Sequence, residues 1–370
     1  MGWKLPRWLI STVGLLAIGS LAFGCGSGGD DGGSSGGSAT TTVGFIYVGT
    51  VDDGGYNQAS YQGELAVGKL PGVKTIHAEN VPETAEAERV MQQMIQQGAT
   101  IIFPTSFGHM DPALNVAKKN PKVTFFHEGG FKTSDNMGSF FGTIWQTEYL
   151  AGMAAGSASK TGKLGFVVAF PISQTLLNVN AFHIGARSIN PAATTTVVFT
   201  GNWCDPAKNA EATQSLVSQG IDVITQHQDC PVPVIQAAEK AGIMSVGYHV
   251  DDQKFAPKGW LTAATWDWTT LFPDLVKQAM AGTYKPAVQR FFLKDGVVSL
   301  APFGPSVPKD AQDKIAAART KMGTEPFLAF TAPVKDQTGA VKIAAGTTPD
   351  ITFLESINWL AEGVVGNIPR

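Results

Sequence analysis

The sequence predicts an α/β protein of two doubly wound, parallel-sheet lobes joined by a hinge. Apolar, β-rich runs alternate with amphipathic segments along the chain, the pattern of parallel strands covered by helices on both faces. Glycine is abundant, 42 of 370 residues, as many strand-to-helix turns require. The 328 residues from Val43 onward exceed one compact core.

The N-terminus reads as a leader. Lys4 and Arg7 precede an apolar stretch from Trp8 to Phe23, too short for a comfortable membrane span and laid out like a secretory signal. It ends at Leu21-Ala22-Phe23-Gly24-Cys25, which resembles a lipobox, with Ala22 where leucine is usual. Residues 1–25 are therefore expected to be a lipoprotein signal peptide, with Cys25 acylated as the membrane anchor. The tract from Gly26 to Thr42 is glycine, serine and two acids, which bury no apolar surface; it reads as a flexible tether, residues 26–42.

Strands are expected at Val43–Val48, Val73–His77, Thr100–Phe103, Val123–Phe126 and Met137–Thr143. A second series follows at Lys163–Val168, Thr195–Phe199, Val223–Gln226, Met244–Tyr248 and Trp260–Trp266. Between them, Ala87, Val90, Met91, Met94 and Ile95 recur at helical spacing within Glu83–Gln97. Asp205-Pro206 opens another helix with a cap and a first-turn proline, and Gly98 and Gly220 end theirs. Trp145–Ala158 is a small-residue helix, while Gly142–Trp145 and Thr262–Trp266 read as hinge crossings. The expected lobes are 43–142 with about 266–306, and 143–265 with about 307–370. The tail is expected to hold a helix at Ala311–Met322, a hairpin within AFTAPVKDQTGAV and a last helix at Thr352–Val365.

Lys4 and Arg7 leave with the leader, so the mature chain carries 25 basic against 30 acidic side chains, net −5. No basic patch is present, which argues against a nucleic-acid partner. Neither GxGxxG nor P-loop spacing occurs, and no HxH, HExxH, paired-cysteine or G-x-S-x-G motif marks a metal or a nucleophile. No cofactor, no metal and no enzymatic activity are expected. His127-Glu128, His227-Gln228-Asp229 and Tyr248–Asp252 could form acid–base pairs or metal sites. Hydrogen-bonding or loop-orienting roles suit these histidines better.

Ligands of open parallel sheets sit beyond the carboxyl ends of strands. Those loops carry Tyr56, Asn57, Phe107, Trp203, Asp229 and His249, with Trp145, Trp266 and Trp268 at the crossings. Aromatic faces with carboxylates and amides at their rim suit a flat heteroaromatic ligand. None of these loops supplies the arginine that an amino acid would require. If the strand ends at Trp266, one of Trp266 and Trp268 is core rather than cleft. Cys204 and Cys230 follow consecutive strands joined by one right-handed crossover, so their carboxyl ends are neighbours, and an oxidising compartment then predicts a disulfide between them.

Val51–Gln58 (VDDGGYNQ), Thr105–Gly108, Gly142–Gly152 (GTIWQTEYLAG), Gly247–Asp252, Ala329–Val341 and the closing NWLAEGVVGNIP together resemble the basic membrane protein family. These are substrate-binding lipoproteins of ABC transporters and include purine-nucleoside receptors of the PnrA type. The resemblance implies a periplasmic-binding-protein fold, a purine between the lobes, ABC permease subunits as partners and a monomer anchored by lipid outside the cell membrane. By position it implies that Asp53 and Asn57 address the purine edge, that Tyr56 or Phe107 stacks on it, and that Asp251 or Asp252 is the aspartate near a ribose. The family's ribose-contacting lysine is missing from Thr262–Trp268. Trp203–Pro206 and Gln226–Asp229 resemble a branch that binds a free nucleobase such as adenine. The alternatives are a sensing receptor for a sugar or signal molecule and, remotely, a hydrolase.

Overall fold

The structure, a computed structural model, describes residues 40–331 and 333–369. The expected leader, Cys25 and the tether up to residue 39 lie outside the described residues.

The first sheet is built from β1 (Thr41–Ile46), β2 (Val73–Ala78), β3 (Ala99–Pro104), β4 (Thr124–Glu128) and β5 (Met137–Gly142), interleaved with α1 (Tyr56–Val67), α2 (Ala85–Gln96) and α3 (Met110–Lys119). β1 thus takes up the last two residues of the expected tether. Its apolar run is buried on both faces, as a central parallel strand requires. In α2, Thr84 caps the first turn and Ala87, Met91 and Met94 point into the core. Gly98, at φ +94°, lets the chain turn straight into β3.

The chain leaves this sheet at Gly142, where a β-carbon would lie 2.6 Å from the Trp266 ring. The second series is α4 (Trp145–Ala158), β6 (Lys163–Val168), α5 (Ser173–Ile189), β7 (Thr194–Phe199), α6 (Pro206–Ser218), β8 (Val223–His227), α7 (Val232–Ala241), β9 (Met244–His249) and β10 (Trp260–Trp266). The small residues of α4 have a packing reason. A β-carbon on Gly152 would stand 2.0 Å from the Phe182 carbonyl of α5, so the two helices meet backbone to backbone. Asp205 caps α6 through the Lys208 N–H, with Pro206 in the first turn.

After β10 the chain returns to the first lobe through α8 (Leu271–Met280), whose Phe272 packs on Gly63 of α1, and β11 (Val288–Phe291), which pairs with β5. It then crosses back: β12 (Val298–Leu300) pairs antiparallel with β10. These residues, expected in the first lobe up to about 306, therefore belong to the second sheet. The tail adds α9 (Lys309–Met322), the expected hairpin β13 (Val334–Lys335) and β14 (Val341–Ile343), α10 (Ile351–Leu354) and β15 (Val364–Val365). The long last helix expected over Thr352–Val365 does not form. Asn180, His183 and Arg187 of α5 hydrogen-bond the backbone of Trp359–Glu362, and Gly363 sits at φ +96°, so the segment is extended and adds a strand beside β7.

The sheet orders are β11-β5-β4-β3-β1-β2 and β12-β10-β9-β8-β6-β7-β15. Each contains the doubly wound core in which the first strand lies between the second and third. The switch points are therefore β1/β3 and β6/β8, where crevices open at the carboxyl ends.

Candidate functional site

On the first-lobe face of the crevice the carboxylates and hydroxyls are engaged within the protein, while His127 Nδ1 is buried without a partner. The Asp53 carboxylate accepts from the N–H groups of Gly55 (2.8 Å), Asn57 (3.0 Å) and Gln58 (3.0 Å) and from Asn57 Nδ2 (2.7 Å), closing the N-terminus of α1. Burial raises its pKa, and these four bonds oppose the rise. Tyr56 Oη donates to the Thr105 carbonyl at 2.5 Å. Glu83 accepts from Ser106 Oγ (2.5 Å) and the Gly108 N–H (2.8 Å), and His127 Nε2 donates to the Ser106 carbonyl. Burial, followed by the nearby His109, lowers the His127 pKa to about 3, so the ring is neutral.

Two hydrogen bonds between strand-end loops join the lobes, in addition to the Arg290–Glu355 ion pair. The Tyr56 N–H donates to the Asp229 carbonyl at 3.0 Å, and Trp203 Nε1 donates to Glu83 Oε2 at 3.2 Å. Gly55 permits the first approach, since a β-carbon there would lie 2.0 Å from the Asp229 oxygen.

The second-lobe face is different. Among the described residues, no side chain or backbone group hydrogen-bonds the Asp229 carboxyl, though the residue is only 6% exposed. Burial, and then Asp53, Glu83 and Glu128, push its pKa well above the ordinary carboxylate range. Two residues earlier, His227 accepts at Nδ1 from Asn178 Nδ2 (3.1 Å), and burial lowers its pKa to about 3. It is thus a neutral imidazole with its proton on Nε2, as the amide network assigns it. The disulfide expected between Cys204 and Cys230 is present, with α-carbons 5.2 Å apart, and ties Trp203 to Asp229 as one wall. The Asp229 N–H donates to the Trp203 carbonyl at 2.7 Å in the same wall.

Two connected spaces result. A narrow slot of about 20 Å³ is lined by the expected Tyr56, Phe107, Trp203, Asp229 and His249. Phe141, Gln174 and His227, which were not among the expected ligand contacts, also line it. A larger cavity of about 330 Å³ adjoins it through Phe107, Gly129 and Phe141, and is walled by Trp145, Leu177 and Asn178. Asp53, Asn57, Asp251 and Trp266 line neither space. Asp251 is exposed and accepts from the Gln253 N–H, whereas Asp252 is buried. Trp266 stacks on Trp268 (centroids 5.0 Å apart), and its Nε1 donates to His249 Nδ1 at 2.8 Å. His249 Nε2 donates to the Gln228 carbonyl, so both ring nitrogens are engaged. The residue is also held at φ +76°, strained for a non-glycine.

The missed residues had a readable cue. The loop after β6 follows the strand at the second switch point, so the rule that singled out the other loops applies to Pro171–Gln174 as well. His227 was read as a candidate acid–base group, but Asn178, seventy residues from Tyr248 in sequence and joined to it by a 2.8 Å bond, sets its tautomer.

Two doubly wound lobes closing a crevice at their strand ends, with unmet hydrogen-bonding groups among aromatic rings, define a two-lobed solute-binding protein. The chain belongs to the family of PnrA-like ABC transporter substrate-binding proteins, whose model matches residues 40–325. It is similar to a purine-binding protein of Brucella abortus (strain 2308), 36% identical over 330 residues that cover 89% of this chain and 94% of that one. It is also similar to a putative ABC transporter glucose-binding protein of Haloferax volcanii, 31% identical over 331 residues, 89% of this chain and 82% of that one. Among solved structures, an ABC transporter solute-binding protein from Aeropyrum pernix K1 superposes with a TM-score of 0.70 at 15% identity, over 85% of this chain and 96% of that one, which bears on the fold alone. Family and fold are those of solute-binding proteins, not enzymes, and imply an extracytoplasmic location, a small ligand and permease partners. Among the described residues no helix is long and apolar enough to cross a membrane.

Proposed function

We propose that this chain is the lipid-anchored, monomeric receptor of an ABC importer and that it binds a purine, the free base ahead of the nucleoside. The reading rests on one observation: within an aromatic slot, the Asp229 carboxyl and His227 Nε2 lie without protein partners. A neutral purine edge sets ring-nitrogen acceptors beside N–H donors, which is the complement of an imidazole N–H next to a carboxyl group. Phe107 and Trp203 supply the ring faces. The purine-binding relative from Brucella abortus supports the same assignment.

The preference for the base has its own support. In the stretch Thr262–Trp268, where the family's ribose-contacting lysine would stand, the Thr262 hydroxyl donates to the Ala301 carbonyl at 2.7 Å and the Thr265 hydroxyl to the Ser299 carbonyl at 3.1 Å. The indoles of Trp266 and Trp268 follow. Ribose hydroxyls buried without partners cost about 1–3 kcal/mol each. The glucose-binding relative keeps a sugar receptor as the competing reading, but a sugar presents many hydroxyls to a slot that leaves only a few groups free.

The test is identification of what the protein carries. Mass spectrometry of ligand released from the purified full chain is expected to return a purine base; a sugar or an amino acid would overturn the reading. For the anchor, Cys25→Ser is expected to move the protein from the membrane to the soluble fraction, and unchanged membrane retention would refute acylation at that residue.

A further inference from the structure

Among the described residues, one ion pair joins the two lobes. Arg290 lies on β11 of the first lobe, and Glu355 follows α10 in the tail that packs on the second. Every other described pair stays within a lobe, and most of those are exposed and local.

Each partner is held by its own lobe. The Arg290 side chain is only 10% exposed, and its guanidinium donates to the Gly130 carbonyl at 2.9 Å and the Gln289 carbonyl at 3.1 Å, both in the first lobe. On the other side, Asp350 caps α10 through the Phe353 N–H at 2.8 Å, and Leu354 and Ile357 are buried. Beyond them, α5 fixes Trp359–Glu362 to the second lobe. The two groups meet as a fork: Nε and Nη2 of Arg290 donate to separate carboxylate oxygens of Glu355, the latter at 3.0 Å. Side chains fixed in advance lose little further freedom on pairing, and the bidentate form is the strong form of this bond.

Both residues also line the cavity of about 330 Å³. With the pair formed, that space is still many times the roughly 10–15 Å³ that one water needs, so closure over a small solute leaves the pair intact. Parting the lobes breaks it, because each partner moves with its own lobe. Neither residue lines the slot with Asp229 and His227.

We propose that Arg290 and Glu355 form an electrostatic latch on the closed lobes, a positioning pair that sets how tightly and how long a ligand is held without selecting which ligand. The latch stabilises the closed arrangement alone, so its worth is added to the affinity of every ligand that closes the lobes. Salt that screens the pair then weakens the binding even of a neutral base.

Calorimetry and stopped-flow release of adenine, a probe that rests on the purine reading above, test this on the full mature chain. Glu355→Gln and Arg290→Met are each expected to weaken adenine binding about three- to tenfold, through faster release rather than slower capture. The double variant is expected to bind no more weakly than either single one. Between about 0.05 and 1 M salt the parent's affinity is expected to fall about threefold, while that of Glu355→Gln stays level. Arg290→Lys, which keeps the charge but not the fork, should lie between the parent and Arg290→Met. A merely structural contact would lower the urea midpoint and leave release and salt response as they were. Without ligand, energy transfer between dyes placed one on each lobe is expected to show wider separations in Glu355→Gln than in the parent. Unchanged affinity and release in both folded single variants, or losses that multiply in the double variant, would overturn the latch. If adenine does not bind the parent, the purine reading fails and the dye separations alone decide the latch: equal separations in parent and variant would refute it.

Discussion

The two faces of the crevice come from the same kind of lobe yet do opposite things with their polar groups. On the first lobe, Asp53, Tyr56 and Glu83 are each engaged by nearby protein groups. On the second, the Asp229 carboxyl, His227 Nε2 and Asn178 Oδ1 are held in place by their neighbours but left without partners of their own. The first lobe is thus a preformed platform of rings and closed loops, and the second reads the ligand. A buried polar atom without a partner is costly. Such atoms concentrated on one face mark where the ligand's own hydrogen bonds belong.

The largest effect expected is on the reading wall itself. Replacing Cys204 and Cys230 by serine opens a loop of 26 residues, which chain entropy values at about 3 kcal/mol. Denaturation should show that loss, and calorimetry should show weaker binding as Trp203 and Asp229 lose their common tether. Unchanged affinity in a folded double variant would mean that the wall needs no tie.

Next, Asp229→Ala is expected to weaken purine binding by about 10- to 100-fold, the worth of roughly 1.5–3 kcal/mol for hydrogen bonds to such a group. Asp53→Ala should do the reverse: it costs about 1 kcal/mol of stability through the lost cap and leaves affinity within a few-fold. Equal losses of affinity in both variants would erase the distinction between the faces.

A smaller effect concerns Glu128, beneath the first face, where Ser60 Oγ donates to it. Burial lifts its pKa to about 8. The folded state then holds a proton that the unfolded chain releases near pH 4.5, so this group's contribution is fully present below that pH and is lost as pH rises towards about 8. Glu128→Gln, which keeps the acceptor for Ser60, should match the parent near pH 4 and exceed its stability by a margin that grows as pH rises to about 8. Urea midpoints across that range would show parallel lines if the carboxyl were ionised throughout.

Much of this was legible from the residues. The alternation of strands and helices, the first crossing at Gly142–Trp145, the Asp205-Pro206 cap and the disulfide follow from local pattern and from the rule that consecutive parallel strands are neighbours. The tail was not legible in this way. Thr352–Val365 has residues that suit a helix, but hydrogen bonds from Asn180, His183 and Arg187, more than 170 residues away, hold its second half extended. The placement of β12 escaped for a similar reason, since three residues carry too little pattern to announce a third crossing. Within the site, residue type found the aromatic lining but could not separate a free carboxylate from an engaged one. Asp53 and Asp229 both sit in loops at strand ends; only the chain around each decides which one has its acceptors filled.

A crystal structure of the protein with adenine tests the central claim most directly. The account predicts the base between Phe107 and Trp203, its edge hydrogen-bonded to the Asp229 carboxyl and His227 Nε2, with Asp53 still capping α1. A base whose edge is held by Asp53 and Asn57, with Asp229 and His227 making no contact, would contradict it.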